Sequence, residues 1–224
     1  VKTIAPEVKS GPFVAKLAVV LLLLSLGLHL VSLDSIPALF LGVMVIGAML
    51  AHAVELQHQC LHNTAFKSRA ANRVVGILLG LPMLSSFHAY RRAHMEHHRK
   101  LGTPNDKPYF SYRFLENPSA AALLYDLFGI AHLRSALASI FLQGKSGLIT
   151  AGSDADEDYT AERVDYALMA FALACAFLYS ITTGSDFFLK AWLVPMLLVG
   201  QPVHFLVELP EHIGCAAAST DPLR

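Results

Sequence analysis

Segment 88–100 holds the residue types best suited to chemistry. It reads His-Ala-Tyr-Arg-Arg-Ala-His-Met-Glu-His-His-Arg-Lys and carries four of the chain's eleven histidines. On a helix, His94, His97 and His98 stand at i, i+3 and i+4, so their imidazoles share one face and can converge on a metal ion. A bound cation would also hold these rings neutral beside the neighbouring cationic side chains. The alternative interpretation is a solvated basic loop whose histidines have no role.

A second group of such residues lies earlier in the chain. His58 and His62 are at i and i+4, so they stack on one face of a helix. Glu55 lies three residues before His58 and falls on that face, where its carboxylate could accept the outer N–H of a ligating imidazole. By itself an HxxxH pair is weak evidence for a metal site.

The third group lies near the end of the last apolar run. His204 and Glu208 are again at i and i+4, and Pro210 is expected to break the helix before His212. Ionisable residues at a membrane boundary are candidates for function. For His204, a buried histidine with one hydrogen bond is an equally good interpretation.

Taken together, the three groups predict a centre with more than four nitrogen ligands. Such a set holds more than one ion, and iron is the metal suited to activating oxygen toward a C–H bond.

Cys60, Cys175 and Cys215 are an odd number without a CxxC pair, so neither a disulfide framework nor a thiolate site is indicated.

The composition predicts an all-α, polytopic membrane protein that forms a single domain over 1–224. Hydrophobic residues make up 54% and charged residues only 15%, well below the usual quarter of a soluble domain. The net charge is zero, which argues against nucleic acid as a partner. Four transmembrane helices in two hairpins are expected, together with a cytoplasmic helical cap over 57–163. The predicted spans are 13–33, 36–56, 164–183 and 187–208.

Charge predicts which side of the membrane the cap occupies. Residues 58–113 carry nine lysines and arginines but only Glu96 and Asp106 as acids. By the positive-inside rule, this segment and the N-terminus are cytoplasmic, and the histidine-rich segments lie at one membrane face. Within the cap, 74–87 is expected to be a re-entrant or interfacial helix, and 119–142 an amphipathic helix on the membrane surface.

The sequence resembles the integral-membrane fatty acid desaturase and hydroxylase superfamily. The resemblance rests on His-Gln-Cys-Leu-His-Asn-Thr-Ala-Phe from His58, on His-Met-Glu-His-His-Arg from His94, and on Glu-Leu-Pro-Glu-His from Glu208. The sequences of the first two of these segments, called histidine boxes, are similar to those of sphingolipid desaturases. The resemblance covers the chain from about Glu55 onward.

This resemblance implies a di-iron centre that uses molecular oxygen to oxidise a lipid acyl chain. Electrons would come from a ferredoxin-like or cytochrome-like donor. A desaturase that introduces a C=C bond is the first expectation, and a lipid or carotenoid hydroxylase is the alternative. Carried over, the iron ligands would be His58, His62, His94, His97, His98 and His212, with His88, His204, Glu55 and Glu208 as further ligands or as partners of ligands.

One departure from the family pattern concerns the C-terminal end. Members of this superfamily carry another HxxHH box beyond the fourth span, whereas no histidine follows His212 in these 224 residues. We therefore expect the chain to be a fragment with little turnover of its own.

Two hypotheses in which the protein is not a lipid-oxidising enzyme remain. A haem-binding electron carrier would need single histidines on facing spans, for which His29 and His52 are the candidates. A metal-binding or scaffold membrane protein without catalysis is the other.

Overall fold

The computed structural model describes residues 8–100, 103, 109–110, 112–141 and 160–212. All regular elements in these ranges are helical, which confirms the all-α prediction. They are α1 (Ser10–Val31), α2 (Ile36–Leu61), α3 (Arg69–Gly80), α4 (Phe87–Lys100), α5 (Arg113–Glu116), α6 (Ala120–Leu127), α7 (Ile130–Phe141), α8 (Thr160–Thr183) and α9 (Gln201–His212), with a short 3-10 turn at Leu81–Met83 and two π-helical segments before α9.

Four of the described helices are long and apolar enough to cross a membrane, as predicted. They are Ser10–Val31, Ile36–Leu61, Thr160–Thr183 and Leu189–Glu208. The second extends beyond the expected end at residue 56, because no helix breaker occurs before Asn63. His58 therefore lies on the span itself, and His62 directly follows it.

The first two spans pack closely as a hairpin. A Cβ on Gly42 would lie 2.9 Å from the carbonyl oxygen of Gly27, so the two backbones approach at a point where only glycine fits. Small residues allow this kind of contact where lipid offers no hydrophobic drive for association. The hairpin brings the C-terminal end of α2 to the same side as the start of α1.

The last span is irregular around Pro195. π-Helical segments at Leu189–Leu193 and Met196–Gly200 flank this residue, whose missing N–H and bulky ring disturb α-helical bonding. A Cβ on Gly47 of α2 would lie 2.4 Å from Val199 Cβ, so α2 and the last span are in close contact. This contact aligns α9 beside the second half of α2.

The expected re-entrant or interfacial segment 74–87 is a sharply broken helix pair. The two described segments, Arg69–Met83 and Phe87–Lys100, are bent by 101°. Leu84 has a left-handed φ of 56°, and Ser85 N–H donates to Gly80 O at 2.9 Å, which closes the turn. The break directs α4 back across the ends of the spans.

The prediction of one continuous amphipathic helix over 119–142 is wrong about its continuity. In the described residues up to 141, it is two helices, α6 and α7, bent by 46° at a break containing Gly129. Gly129 has a φ of +58°, a conformation that ends α6 and that glycine adopts without strain.

Candidate metal centre

The end of α2 presents two histidines on successive turns. Asn63 follows them with a left-handed φ of 55°; its N–H donates to Cys60 O at 3.0 Å, and Thr64 N–H donates to Gln59 O at 3.2 Å. This is a helix C-cap with asparagine in the position that usually takes glycine. The cap ends α2 just behind His62, so His58 and His62 lie side by side at the membrane boundary.

The start of α4 is held by a buried carboxylate on α8. Asp165 is fully buried and accepts hydrogen bonds from Ser86 Oγ at 2.8 Å and from the backbone N–H of His88 at 2.9 Å. Its carboxylate also lies 3.0 Å from His88 Nδ1. One turn later Arg92 forms an ion pair with Glu162 of α8. These contacts set the position and rotation of α4.

The opposite side of α4 faces α2. Tyr90 is buried, and its ring stacks on Tyr109 at 4.7 Å between centroids. The same ring lies 6.0 Å from the ring of His58 and 5.6 Å from that of His94. Tyr90 therefore forms an aromatic wall against which both histidines rest.

Three imidazole nitrogens converge between α2 and α4. The Nε2 atoms are 3.1 Å apart for His58 and His62, 2.8 Å for His58 and His94, and 2.9 Å for His62 and His94. His98 Nε2 lies 2.9 Å from His94 Nε2 and adds a fourth, exposed ring. Two helices that are distant in sequence thus bring four histidines to one point.

These short contacts fit a bound metal ion better than a hydrogen-bonded cluster. Each Nε2 of a neutral imidazole carries either one N–H or one lone pair. Among three such atoms at least two carry the same group, so at least one of the three short pairs is repulsive unless a cation lies between them. With metal–nitrogen bonds of about 2.0–2.1 Å, two ligands at a right angle are separated by about 2.9 Å. The residues present therefore fit a metal ion.

The electrostatics of the site keep the rings neutral. Burial, with further repulsion from His58, His98 and Arg91, lowers the pKa of His62 to about 4. Burial, with repulsion from its four neighbouring histidines, lowers the pKa of His94 to about 3. At neutral pH both imidazoles keep the lone pair that a metal ion requires.

Other residues singled out in the sequence lie elsewhere. His88 is directed to Asp165, and the ring of His97 is 6.1 Å from that of His94, with no described place in the triad. α9 continues through Pro210 to His212, so the expected helix break before His212 is wrong. The side chain of His212 lies outside the described residues. The acidic partners on α8, Asp165 and Glu162, were missed; their i, i+3 spacing at the start of a span was the available signal.

A second group of ligand types combines α2 and α9. Glu55, His204 and Glu208 each offer one ligand atom, and these atoms lie within 4.8 Å of one another. His204 and Glu208 are buried, and the ring of Phe110 lies 4.4 Å from that of His204. The i, i+4 pair expected on the last span thus meets the acid of the second span.

The basic residues of α4 are largely engaged with acids. Arg92 pairs with Glu162, while Arg99 and Lys100 pair with Glu96 on their own helix. Burial and the nearby Arg69 lower the pKa of the remaining one, Arg91.

The positions of His29 and His52 on the α1–α2 hairpin do not support the hypothesis of a haem-binding electron carrier. His29 is three residues from the turn that joins α1 to α2, whereas His52 is about 17 residues beyond it. At 1.5 Å per residue, this separates the two by about 20 Å along the hairpin, too far for both to ligate one iron.

A comparison with known protein families matches this architecture. The sequence model of the fatty acid desaturase family matches residues 34–224, which include all of the described histidine groups. No curated protein matches the chain. The family accounts for the four spans, the lipid context and the oxidoreductase class of the protein, and the chain belongs to the fatty acid desaturase family.

Proposed function

We propose that this chain forms the metal-binding core of an oxygen-dependent di-iron enzyme that introduces a C=C bond into a lipid acyl chain. The convergence of His58, His62 and His94 through their Nε2 atoms carries the proposal. His98 completes the described nitrogen set, and His97 and His212 are proposed as further ligands.

The chain's own residues prepare this site for binding. The cap at Asn63 fixes the end of α2, and the buried Asp165 fixes the start of α4, and neither contact depends on a bound ion. Such preorganisation means that little ordering cost is left for binding. The buried ring of Tyr90 covers one side of both His58 and His94.

The overall reaction has a defined balance. Two adjacent methylenes lose two hydrogen atoms, and molecular oxygen, two electrons and two protons are consumed to give two water molecules. Iron, when bound, supplies the oxygen activation that no side chain can perform. The electrons must come from a one-electron donor of the ferredoxin or cytochrome class.

The sidedness follows from charge. The excess of lysine and arginine in 58–113 supports a cytoplasmic centre, in reach of a soluble donor. Because Arg92, Arg99 and Lys100 are paired with acids, the exposed Lys67, Arg69 and Arg73 on and near α3 are the better candidates for an acidic donor's contact.

The test is lipid mass spectrometry on cells that express the full-length protein. A lipid lighter by two hydrogen atoms is expected with the unaltered protein and should be absent with His94→Ala. The control is His29→Ala, which removes an exposed histidine from α1 and should leave the product unchanged.

Other outcomes would contradict parts of the proposal. A lipid that gains one oxygen atom would make the protein a hydroxylase on the same centre. Product formation that survives His94→Ala would remove the histidine centre from the reaction. An unchanged lipid profile in cells supplied with iron and a donor would contradict the enzymatic proposal itself.

A further inference from the structure

Two arginines lie close together where α3 and α4 meet. Arg91 of α4 is half-buried, and its Nη1 is buried without a hydrogen-bond partner among the described residues. Burial and the nearby Arg69, the exposed first residue of α3, both lower the pKa of Arg91. In the described ranges neither guanidinium forms an ion pair. Two cations are thus held side by side with no counter-charge from the described part of the chain.

The packing of α3 on α4 keeps the two arginines near each other. A Cβ on Gly76 would lie 2.4 Å from the ring of Phe87, so the two helices are in close contact at this point. Arg69 is seven residues before Gly76, and Arg91 is four residues after Phe87. These spacings place each arginine on the contacting face of its own helix. Both arginines therefore lie along the same seam between α3 and α4.

The other cationic side chains of α4 have acidic partners. Arg92 pairs with Glu162 of α8, and the two cations at the C-terminal end of the helix pair with Glu96. A guanidinium carries five N–H donors and stays charged at neutral pH, so partial burial without an acceptor is unfavourable. Within the described helix, Arg91 is the cation that still offers its donors to a ligand.

The seam lies at the membrane boundary. Burial is the largest cause of the lowered pKa of His62, and repulsion from Arg91 contributes, so Arg91 lies close to the end of the second span. On α3, Ala70, Val74 and Leu78 follow one another at i, i+4 and i+8, and all three are exposed, Val74 by 54% and Leu78 by 59%. These three residues form the apolar stripe of α3. A helix that combines such a stripe with basic residues is typical of the membrane interface.

These features suit the phosphate group of a membrane lipid. Arginine binds phosphate oxygens through two parallel N–H donors, and a basic pocket between helices on the cytoplasmic side is suited to an anionic lipid headgroup. The apolar stripe gives the acyl chains of such a lipid a surface to contact beside the two arginines. A free phosphate ion would make no use of the stripe, so a lipid fits both parts of the surface.

We propose that Arg69 and Arg91 bind the phosphate group of an anionic membrane lipid whose acyl chains lie against the apolar stripe of α3. The inference goes beyond the proposed function, since it depends neither on the metal that the histidine centre binds nor on the reaction. It assigns Arg69 to the lipid and leaves the exposed Lys67 and Arg73 for contact with an acidic electron donor.

Thermal unfolding of the purified, delipidated protein in neutral detergent tests the proposal. Dioleoyl phosphatidic acid is titrated into the micelles, and the rise in Tm gives an apparent affinity, because a ligand of the folded state stabilises it. Dioleoyl glycerol, which lacks the phosphate, should give no saturable rise. Arg91→Gln and Arg69→Gln should each weaken the apparent affinity for phosphatidic acid by about tenfold or more, through the loss of charge-assisted hydrogen bonds.

Two further variants distinguish a specific site from a general attraction to negative charge. Arg163→Gln removes one exposed positive charge near the start of α8 and should leave the affinity unchanged. Arg91→Lys keeps the charge but loses the paired donor geometry, so its affinity should lie between those of the unaltered protein and Arg91→Gln. An equal loss in Arg163→Gln would overturn the proposal, because overall charge would then explain the binding.

Inorganic phosphate distinguishes the two sources of the anion. A rise in Tm equal to that with phosphatidic acid at the same concentration, and equally dependent on Arg91, would make the ligand a soluble phosphate and overturn the lipid assignment. An affinity for phosphatidic acid that is unchanged in Arg91→Gln and Arg69→Gln would overturn the site itself. Size-exclusion profiles check folding, and if Arg91→Gln does not fold, Arg69→Gln, at an exposed position, decides the outcome. Each of these results leaves the proposed function standing.

Discussion

Helix α4 separates two polar clusters that are built on opposite principles. On the side of α8, Asp165 accepts from Ser86 and His88, and Arg92 pairs with Glu162, so donors meet acceptors. On the side of α2, the described contacts of the triad bring like groups together, nitrogen against nitrogen at 2.8–3.1 Å.

The difference distinguishes a structural cluster from a binding cluster. Complementary groups satisfy each other and need nothing further, whereas like groups held in contact need a ligand to be stable. The first cluster is the support that allows the second to exist, because it sets the position of α4 against the spans. The following predictions test this division of roles.

The largest effect is expected from removing the central histidine of the triad. His94 contacts three other imidazoles, so His94→Ala should weaken iron binding by more than about a hundredfold, given that losing even a partner that only orients a ligand costs about 10- to 100-fold. Competition titration with a chelator measures the affinity. An affinity within a factor of a few of the original would show that the triad is not a binding cluster.

Removing Asp165, which holds the start of α4, should lower the thermal stability of the protein whether or not iron is bound. Asp165→Ala leaves the buried donors of Ser86 and His88 without an acceptor, at a cost of about 2–4 kcal/mol. Thermal unfolding in detergent should show a lower Tm with and without iron. The control Asp186→Ala removes an exposed ion pair, so it should lower the free energy of unfolding by only about 0–1 kcal/mol and change Tm little. Equal losses for both would contradict the structural role of Asp165.

Acid should act on the triad through its lowered pKa values. Folding lowers the pKa of His62 to about 4 and of His94 to about 3, from an ordinary value near 6.5. The unfolded chain therefore takes up protons first, so this contribution to stability is complete above about pH 6.5 and is lost as pH falls toward 4 and 3.

The measurement is the Tm of the metal-free protein between pH 7 and pH 4.5. A decline with acid is expected, and it should be shallower in His62→Ala, where one of the two groups is absent. Bound iron should remain at pH 5.5, since protons do not yet compete for these nitrogens. If Tm fell equally steeply with pH in His62→Ala, the lowered pKa of His62 would not be a cause of the acid sensitivity.

The smallest effect is expected at the exposed end of α4. Glu96 pairs with Arg99 and Lys100 in solvent, where ion pairs contribute little. Glu96→Ala should leave both Tm and iron affinity within experimental error. A clear loss of iron would mean that Glu96, which lies between His94 and His97 in the sequence, belongs to the binding cluster.

Much of the fold could be predicted from local patterns. Continuous apolar runs determine the four spans, because each must cover the thickness of a bilayer whatever its neighbours are. The i, i+4 spacing of His58 and His62 likewise determines that they share a face, since helix geometry is local. The break at Gly129 was missed because a single glycine does not reveal whether its φ is positive.

The sequence by itself determined the spans, the helical faces and the residue types that converge. Only the tertiary structure decided which faces meet. His88 and Asp165 are 77 residues apart, and Glu55 and His204 lie on the second and fourth spans, so no spacing rule relates them. Helical periodicity defines a direction around one axis, whereas the partner in that direction depends on how the helices pack, and this is a property of the whole chain.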